Sequence, residues 1–342
     1  MATEILSTHT PELFQKAIRI AAERLRAGEV VALPTETVYG LAANALNEKA
    51  VARIFQIKGR PAHNPIIIHA ASLEMARDCV THWPESAENL SKSFWPGPLS
   101  LVLPRAEKIP GNVTANGPTV GVRWPSHPFM QAVIRECGFP LAAPSANLSN
   151  QISPTNAEHV RTQLAGKISL IVDGGQAQVG IESTVVDLSV SPPKILRPGM
   201  IHTESIYASL GARNYGLRTA DCGLNPGDQT TLRSPGLLNK HYAPKAKLMV
   251  LSWHNELDLL SKIGNRQSAI GNVHVIAHTK IPASFEAGNV SVIPHDAEAF
   301  ARALYAELHR CDAAGATLIV VEAPPDLPEW SGIADRLRRA AA

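Results

Sequence analysis

Between Asn64 and Ala70 the chain reads NPIIIHA, a continuous apolar run of strand length rather than an alternating one. Such a run implies a strand buried on both faces, and that requires helices packed above and below its sheet. The neighbouring chain supplies them. After Thr10 and Pro11, residues suited to a cap and a first turn, Leu13, Phe14, Ala17, Ile18, Ala21 and Leu25 recur at helical spacing until Gly28. NEKAVARIFQIKG is a second amphipathic pattern with Asn47 as its cap, and SLEMARDCVTHW and ESAENLSKSFW read as two more. A helix is expected over 128–137, ended by Gly138, and another at NAEHVRTQLAG, where Thr155 and Glu158 suit a capping box. EVVALPTET, PLSLVLP, TVGVRWP, PLAAPSAN, ISLIVDGG, ESTVVDL and KILRPG read as strands. Several of them follow one another with no helix between, so the expected fold is a mixed, twisted α/β sheet rather than a regular βαβ series.

At 342 residues the chain exceeds one ordinary core, and two domains are expected. A short helix at TESIYASLG closes the first, over 1–211. From 212 to 247 Gly, Pro, Asn and Asp recur without a sustained period, as in a linker or functional lid. Over 248–342, strand-like KLMVLSW, NVHVIAH, VSVIP and TLIVVEAP alternate with helix-like NELDLLSKI and AEAFARALYAELHRC, the rhythm of a small Rossmann-like parallel α/β domain. GIADRLRRAAA then reads as a basic helix with a solvated surface. No segment approaches eighteen uncharged apolar residues and the start lacks the plan of a secretory signal, so no membrane span is expected. Four scattered cysteines with no C-x-x-C pair suggest neither a disulfide framework nor a zinc site, and point to a reducing cytoplasm. A formal net charge of +2 argues against a protein that coats nucleic acid.

Familiar nucleotide signatures are missing: no P-loop and no G-x-G-x-x-G opening a helix, while DGGQAQVG at 173–180 follows no fingerprint. G-x-S-x-G and H-E-x-x-H are absent too. Polar residues gather instead where apolar segments meet turns, the usual place for ligand groups in open α/β sheets. These are Thr35, Thr37 and Tyr39 in LPTETVYG, Lys58 and Arg60 in KGRPAHNP, His69, Thr119 and Arg123, Ser145 and Asn147 in APSAN, Glu182 to Thr184, and Arg197. Lys58 and Arg60 have the chemistry to face phosphates, with Gly59 letting the backbone approach an anion and Pro61 and Pro65 stiffening the loop. Ser145 and Asn147 can bond phosphate oxygens or metal-bound water, and Arg123 offers a planar fork to a carboxylate. Plainer readings stand beside these: solvated loop cations, a structural ion pair for Arg123, a hydrogen-bonded core His69, an Asx-type turn at Ser145 and Asn147, and core packing for Tyr39.

PTETVYGL, KGRP, FWPGPLSLVL, VGVRWPSHP, APSAN, SPT, ESTVVDL and ILRPG occur in one order, and together they resemble the threonylcarbamoyl-AMP synthases in their long, two-domain form. SPGLLNKHYAP is similar to that form's interdomain linker. The resemblance implies a nucleotidyltransferase that makes L-threonylcarbamoyladenylate and pyrophosphate from L-threonine, bicarbonate or CO2, and ATP with Mg2+. Its product would serve threonylcarbamoyladenosine formation at tRNA adenosine 37. It implies that Lys58 and Arg60 are catalytic and, with Ser145 and Asn147, hold the nucleotide. Thr119, Ser153 and Arg197 would add contacts, and Tyr242 would fold over it. Thr35, His69, Arg123 and Ser183, with the Ala143 backbone, would hold threonine. No protein ligand to a metal is implied. Weak contact with tRNA and contact with the downstream threonylcarbamoyl-transferase machinery stay open as partnerships. An RNA-binding module using the same basic concave surface is the alternative from another class. Carbamoyl-transfer proteins of hydrogenase maturation share related domains, but the acylphosphatase and zinc-finger segments expected there are missing.

Overall fold

The computed structural model describes residues 2–211, 234–235, 241–263, 272–283, 285 and 289–342. By their contacts they form two units, one taking in Met1–Ser149 and Ser153–Leu237, the other Asn150–Ile152 and Leu238–Ala342.

The first unit is built on a ten-stranded sheet. Its strands are β1 (Glu4–Ser7), β2 (Val31–Leu33), β3 (Gly40–Asn44), β4 (Ile67–His69), β5 (Leu99–Pro104), β6 (Thr119–Arg123), β7 (Leu141–Ala142), β8 (Leu170–Asp173), β9 (Thr184–Asp187) and β10 (Lys194–Arg197). Its helices are α1 (Pro11–Arg26), α2 (Glu48–Lys58), α3 (Leu73–Arg77), α4 (Glu85–Phe94), α5 (Pro128–Cys137), α6 (Ala157–Leu164) and α7 (Thr203–Ser209). The strand order is β1-β8-β2-β3-β7-β4-β6-β5-β9-β10. Parallel pairs (β4 with β6, β5 with β9) mix with antiparallel ones (β3 and β4 each with β7, β5 with β6), as the runs of consecutive strands imply. Successive residues alternate between two cores. In β2, Ala32 packs with the residues of α2, α4 and α6, whereas Val31 and Leu33 pack with those of α1 and α5. Ile66 and Ile68 are buried on one face and Ile67 on the other, so β4 is covered on both faces as its composition demands.

Local differences have physical reasons. β2 stops at Leu33 because Pro34 has no N–H to continue the ladder. β3 is built from GLAAN, which lacks the β-branched residues that mark strands. β1 is half exposed and pairs only with β8 along the sheet edge. SLEMARDCVTHW yields only the short α3. The cap of α6 is Asn156, whose side chain accepts from the His159 N–H, rather than Thr155. Gly59 caps α2 in the left-handed region, φ 60°, so its conformation reverses the chain directly after Lys58.

In the second unit, β11 (Lys247–Leu251), β12 (Val273–Ala277), β13 (Val290–Val292) and β14 (Leu318–Glu322) form an all-parallel sheet in the order β11-β14-β12-β13. Helices α8 (Glu256–Ile263), α9 (Ala297–Ala313) and α10 (Ser331–Ala340) accompany it. The solvated surface expected of α10 is corrected: Arg336 and Arg339 are buried, and only Arg338 of its arginines is open to water. The burial is tolerable because Asp335 accepts from Arg336 Nη1 at 2.8 Å and Arg339 Nε at 3.0 Å, and the Arg336 guanidinium lies 5.2 Å from the Tyr242 ring centre. Ala243 donates its N–H to the Asn150 carbonyl, beside a parallel bridge to Gln151. Cys79, Cys137 and Cys311 are buried free thiols; Cys222 lies outside the described residues. Among the described residues no helix is long and apolar enough to cross a membrane.

Candidate active site

Lys58 is the last residue of α2, and its ammonium crosses to the turn after β7. Nζ donates to the carbonyls of Ser145 (2.5 Å) and Asn147 (2.6 Å) and to Asn147 Oδ1 (3.2 Å). That turn is pinned by Leu41 N–H to Pro144, Ala146 N–H to Tyr39 and Ala143 N–H to Ile67. Burial and the Arg60 charge push the Lys58 amine well below its ordinary value, with Glu182 opposing. Three oxygens at donor distance are nonetheless what an ammonium requires. Arg60 is wrapped by its own loop: Nε donates to the Asn64 carbonyl (3.0 Å), and Nη2 to Asn64 Oδ1 (2.7 Å) and the Pro65 carbonyl (2.6 Å). Both cations are buried, which corrects the view of them as solvated loop charges.

A second cluster sits where β4 and β6 end. Their register sets His69 opposite Arg123. Arg123 donates from Nε to the Gly97 carbonyl (3.1 Å), from Nη1 to Thr37 Oγ1 (3.0 Å) and from Nη2 to Glu36 Oε1 (2.6 Å). The hydroxyls continue as a relay: Thr37 and Thr35 meet at 2.9 Å, and Thr35 donates to the Val38 carbonyl at 2.6 Å. Of the two sequence readings of Arg123, the ion pair is therefore present, and its partner Glu36 had not been singled out. The signal was an acid between two threonines in a motif that also needed a buried arginine. Burial works to raise the Glu36 carboxyl, but Arg123 and the Ser126 N–H outweigh it and hold it below its ordinary value. Burial and Arg123 drive His69 down to about 3, so its imidazole is neutral.

The third cluster joins Ser153, Glu182, Ser183 and Arg197. Arg197 donates to the Ser183 carbonyl and hydroxyl, both at 3.0 Å, and Ser183 Oγ lies 2.8 Å from Ser100 Oγ. Ser153 donates to Glu182 at 2.5 Å. The glycine loop at 173–180 is a clamp on the PTET segment. Tyr39 donates to the Gly175 carbonyl and accepts from the Gly174 N–H, while the Val179 and Gly180 N–H groups bond the carbonyls of Glu36 and Thr37.

Two candidates stand apart. Thr119 opens β6 and Arg123 closes it, which separates them by roughly 13 Å at strand rise. Tyr242 packs within the second unit, stacked on Tyr305 with ring centres 6.0 Å apart. An open cleft of about 710 Å³ lined by Arg24, Glu29, Arg53 and Lys167 contains none of the candidate residues.

Buried cations, hydroxyls and an imidazole thus gather at the strand ends of a mixed sheet, where enzymes of the α/β class place their ligand groups. Residues 23–199 match the Sua5/YciO/YrdC family, described as telomere recombination, and residues 201–342 match the threonylcarbamoyl-AMP synthase C-terminal domain. Threonylcarbamoyl-AMP synthase of Pyrococcus abyssi is 40% identical, the match covering 95% of this chain and 94% of that protein. The Bacillus subtilis synthase is 41% identical, over 99% of this chain and 95% of its own. The crystal structure of Pyrococcus abyssi Sua5 complexed with L-threonine superposes with a TM-score of 0.88 at 39% identity, covering 100% of this chain and 98% of the other. The chain belongs to the threonylcarbamoyl-AMP synthase family, in its long two-domain form. It is an enzyme of that class, a transferase of tRNA modification.

Proposed function

We propose that the first unit binds L-threonine, bicarbonate or CO2, and ATP, and releases L-threonylcarbamoyladenylate and pyrophosphate. The carrying observation is the Lys58 ammonium seated on the Ser145–Asn147 turn, which brings together segments 87 residues apart in the chain. The L-threonine complex of the Pyrococcus abyssi relative supports the amino-acid half.

The chemistry needs no protein nucleophile. The neutral amine of threonine captures CO2 with loss of a proton, or bicarbonate with loss of water, and an oxygen of the resulting carbamate attacks the α-phosphorus and expels pyrophosphate. A carbamate is short-lived in water, so enclosure and positioning matter more than a strong base. Lys58 and Arg60 offset phosphate charge, with Ser145, Asn147, Ser153, Thr119 and Arg197 holding the nucleotide. Thr35, His69, Ser183 and the Ala143 backbone orient threonine. The three bonds of Arg123 leave one N–H on each terminal nitrogen for the threonine carboxylate. Among the described residues no group of three or more His, Cys, Asp or Glu could hold a metal ion. Mg2+ would enter with the ATP phosphates, and no step here runs through it.

The product would pass to the machinery that modifies tRNA adenosine 37, in the cytoplasm. Residues 1–211 would form the catalytic domain, 212–247 the linker and 248–342 the smaller domain. Lys58, Arg60, Arg123 and Arg197 are 3 to 8% exposed, which suits a pocket and not an open groove along an RNA backbone. The test is pyrophosphate release from ATP with threonine and bicarbonate each omitted in turn. Release is expected only with both; release without threonine would overturn the proposal.

A further inference from the structure

We infer that Glu36 is a substrate-binding residue, its Oε2 receiving the α-ammonium of the amino acid in the binding step, before that group gives up a proton to become the nucleophile, while Arg123 takes the carboxylate. This rests on the threonine reading of the site and names a contact that reading does not contain.

The geometry of Glu36 is lopsided. The residue is 3% exposed. Oε1 accepts from Arg123 Nη2 at 2.6 Å and from the Ser126 N–H at 3.0 Å. Oε2 is buried and accepts from nothing among the described residues. A buried acceptor left without a donor is costly, and more so when it carries charge. The carboxylate cannot turn away to solve this. Its backbone carbonyl is tied to the Val179 N–H, its neighbour Thr37 to Gly180 and Arg123, and Oε1 is held from two sides. One oxygen is thus fixed in the protein, and the other keeps an open valence in a fixed direction.

Among the described residues, His69 Nδ1 is a second buried atom without a partner, on an imidazole that stays neutral. His127, which also feels the Glu36 charge, has its Nδ1 occupied by the Phe129 N–H. Charge then explains selectivity. A lone buried guanidinium would favour any carboxylate, but the Arg123–Glu36 pair is neutral overall and gives a bare anion little reward. A zwitterion satisfies both members at once, so the pair discriminates by requiring the amine.

The experiment is calorimetric binding of L-threonine and of 2,3-dihydroxybutanoate, which keeps the carboxylate and β-hydroxyl but has a hydroxyl in place of the α-amine. Wild type is expected to prefer threonine strongly. Glu36→Gln should weaken threonine by roughly 10- to 100-fold and leave the dihydroxy acid within about threefold, collapsing the preference. Equal weakening of both ligands would mean that Glu36 only steadies Arg123, and would overturn the inference. Should the variant fail to fold, wild type decides alone, since equal affinities for the two ligands overturn it. A wild type that binds neither ligand would refute the threonine reading itself, and the inference with it.

Discussion

Lys58→Met keeps most of the buried stem and removes the ammonium. Three oxygens, the Ser145 and Asn147 carbonyls and Asn147 Oδ1, then lose this donor. At roughly 1 kcal/mol for each lost bond the cost is about 3 kcal/mol. Relief from burying a charged amine works the other way and lowers the net to about 1–3 kcal/mol. For a unit of this size that is a fall in Tm of roughly 2–10 °C, with the fold retained. Turnover should fall much further, by at least about 100-fold, if Lys58 offsets charge at the departing pyrophosphate as proposed. Both quantities are read on one preparation, by thermal unfolding and by pyrophosphate release. A lower Tm with turnover within threefold of wild type would show Lys58 to be a tether and nothing more. A pH signature accompanies the change. The folded-state amine lies below its ordinary 10.5, so the unfolded chain binds the extra proton in between. Wild-type stability should therefore rise with pH as it approaches 10.5, and the variant should lack that rise.

Arg123→Ala strands the buried Glu36 carboxylate, so a loss of about 3–5 kcal/mol is expected in urea unfolding, together with the largest rise in threonine requirement of any single site change; an unchanged threonine dependence would refute its carboxylate role. His69 falls from 6.5 to about 3 on folding, so below 6.5 only the unfolded chain takes the proton and stability drops with acidification. Between pH 7.5 and 5 wild type should lose on the order of 2 kcal/mol that His69→Gln does not, read from urea midpoints at both values; identical pH dependence would contradict a buried neutral imidazole. Asp335→Ala removes the carboxylate shared by Arg336 and Arg339 and should destabilise the second unit by about 3–5 kcal/mol, measured by hydrogen exchange in β11 to β14. A change below about 1 kcal/mol would mean that Tyr242 and its neighbours carry those arginines instead.

Which parts of this architecture could be read in advance follows from where information is local. The triple isoleucine leading into β4 and the capped face of α1 announce themselves because burial and period act within a few residues. β3 does not, because Gly40, Ala42 and Ala43 are set by close packing against other strands and not by intrinsic preference. The same distinction governs the site. Lys58, Arg60, Ser145 and Asn147 stood out as unusual residues in unusual loops. Glu36 passed unnoticed, since an acid between threonines looks like any turn until Arg123, 87 positions away, is seen to need it. The buried arginines of α10 were misjudged for the same reason: their counter-charge Asp335 was visible, but the Tyr242 ring that roofs one of them lies in a different stretch of chain.

One consequence follows from the three residues Asn150–Ile152, which keep company with the carboxyl-terminal unit although they fall between Asn147 and Ser153 in sequence. No single scissor cut yields two complete pieces. A fragment begun anywhere after residue 211 would leave behind the carbonyl that receives the Ala243 N–H. Grafting the smaller unit onto another relative, or dispensing with it, would therefore mean rewriting the gene in two places.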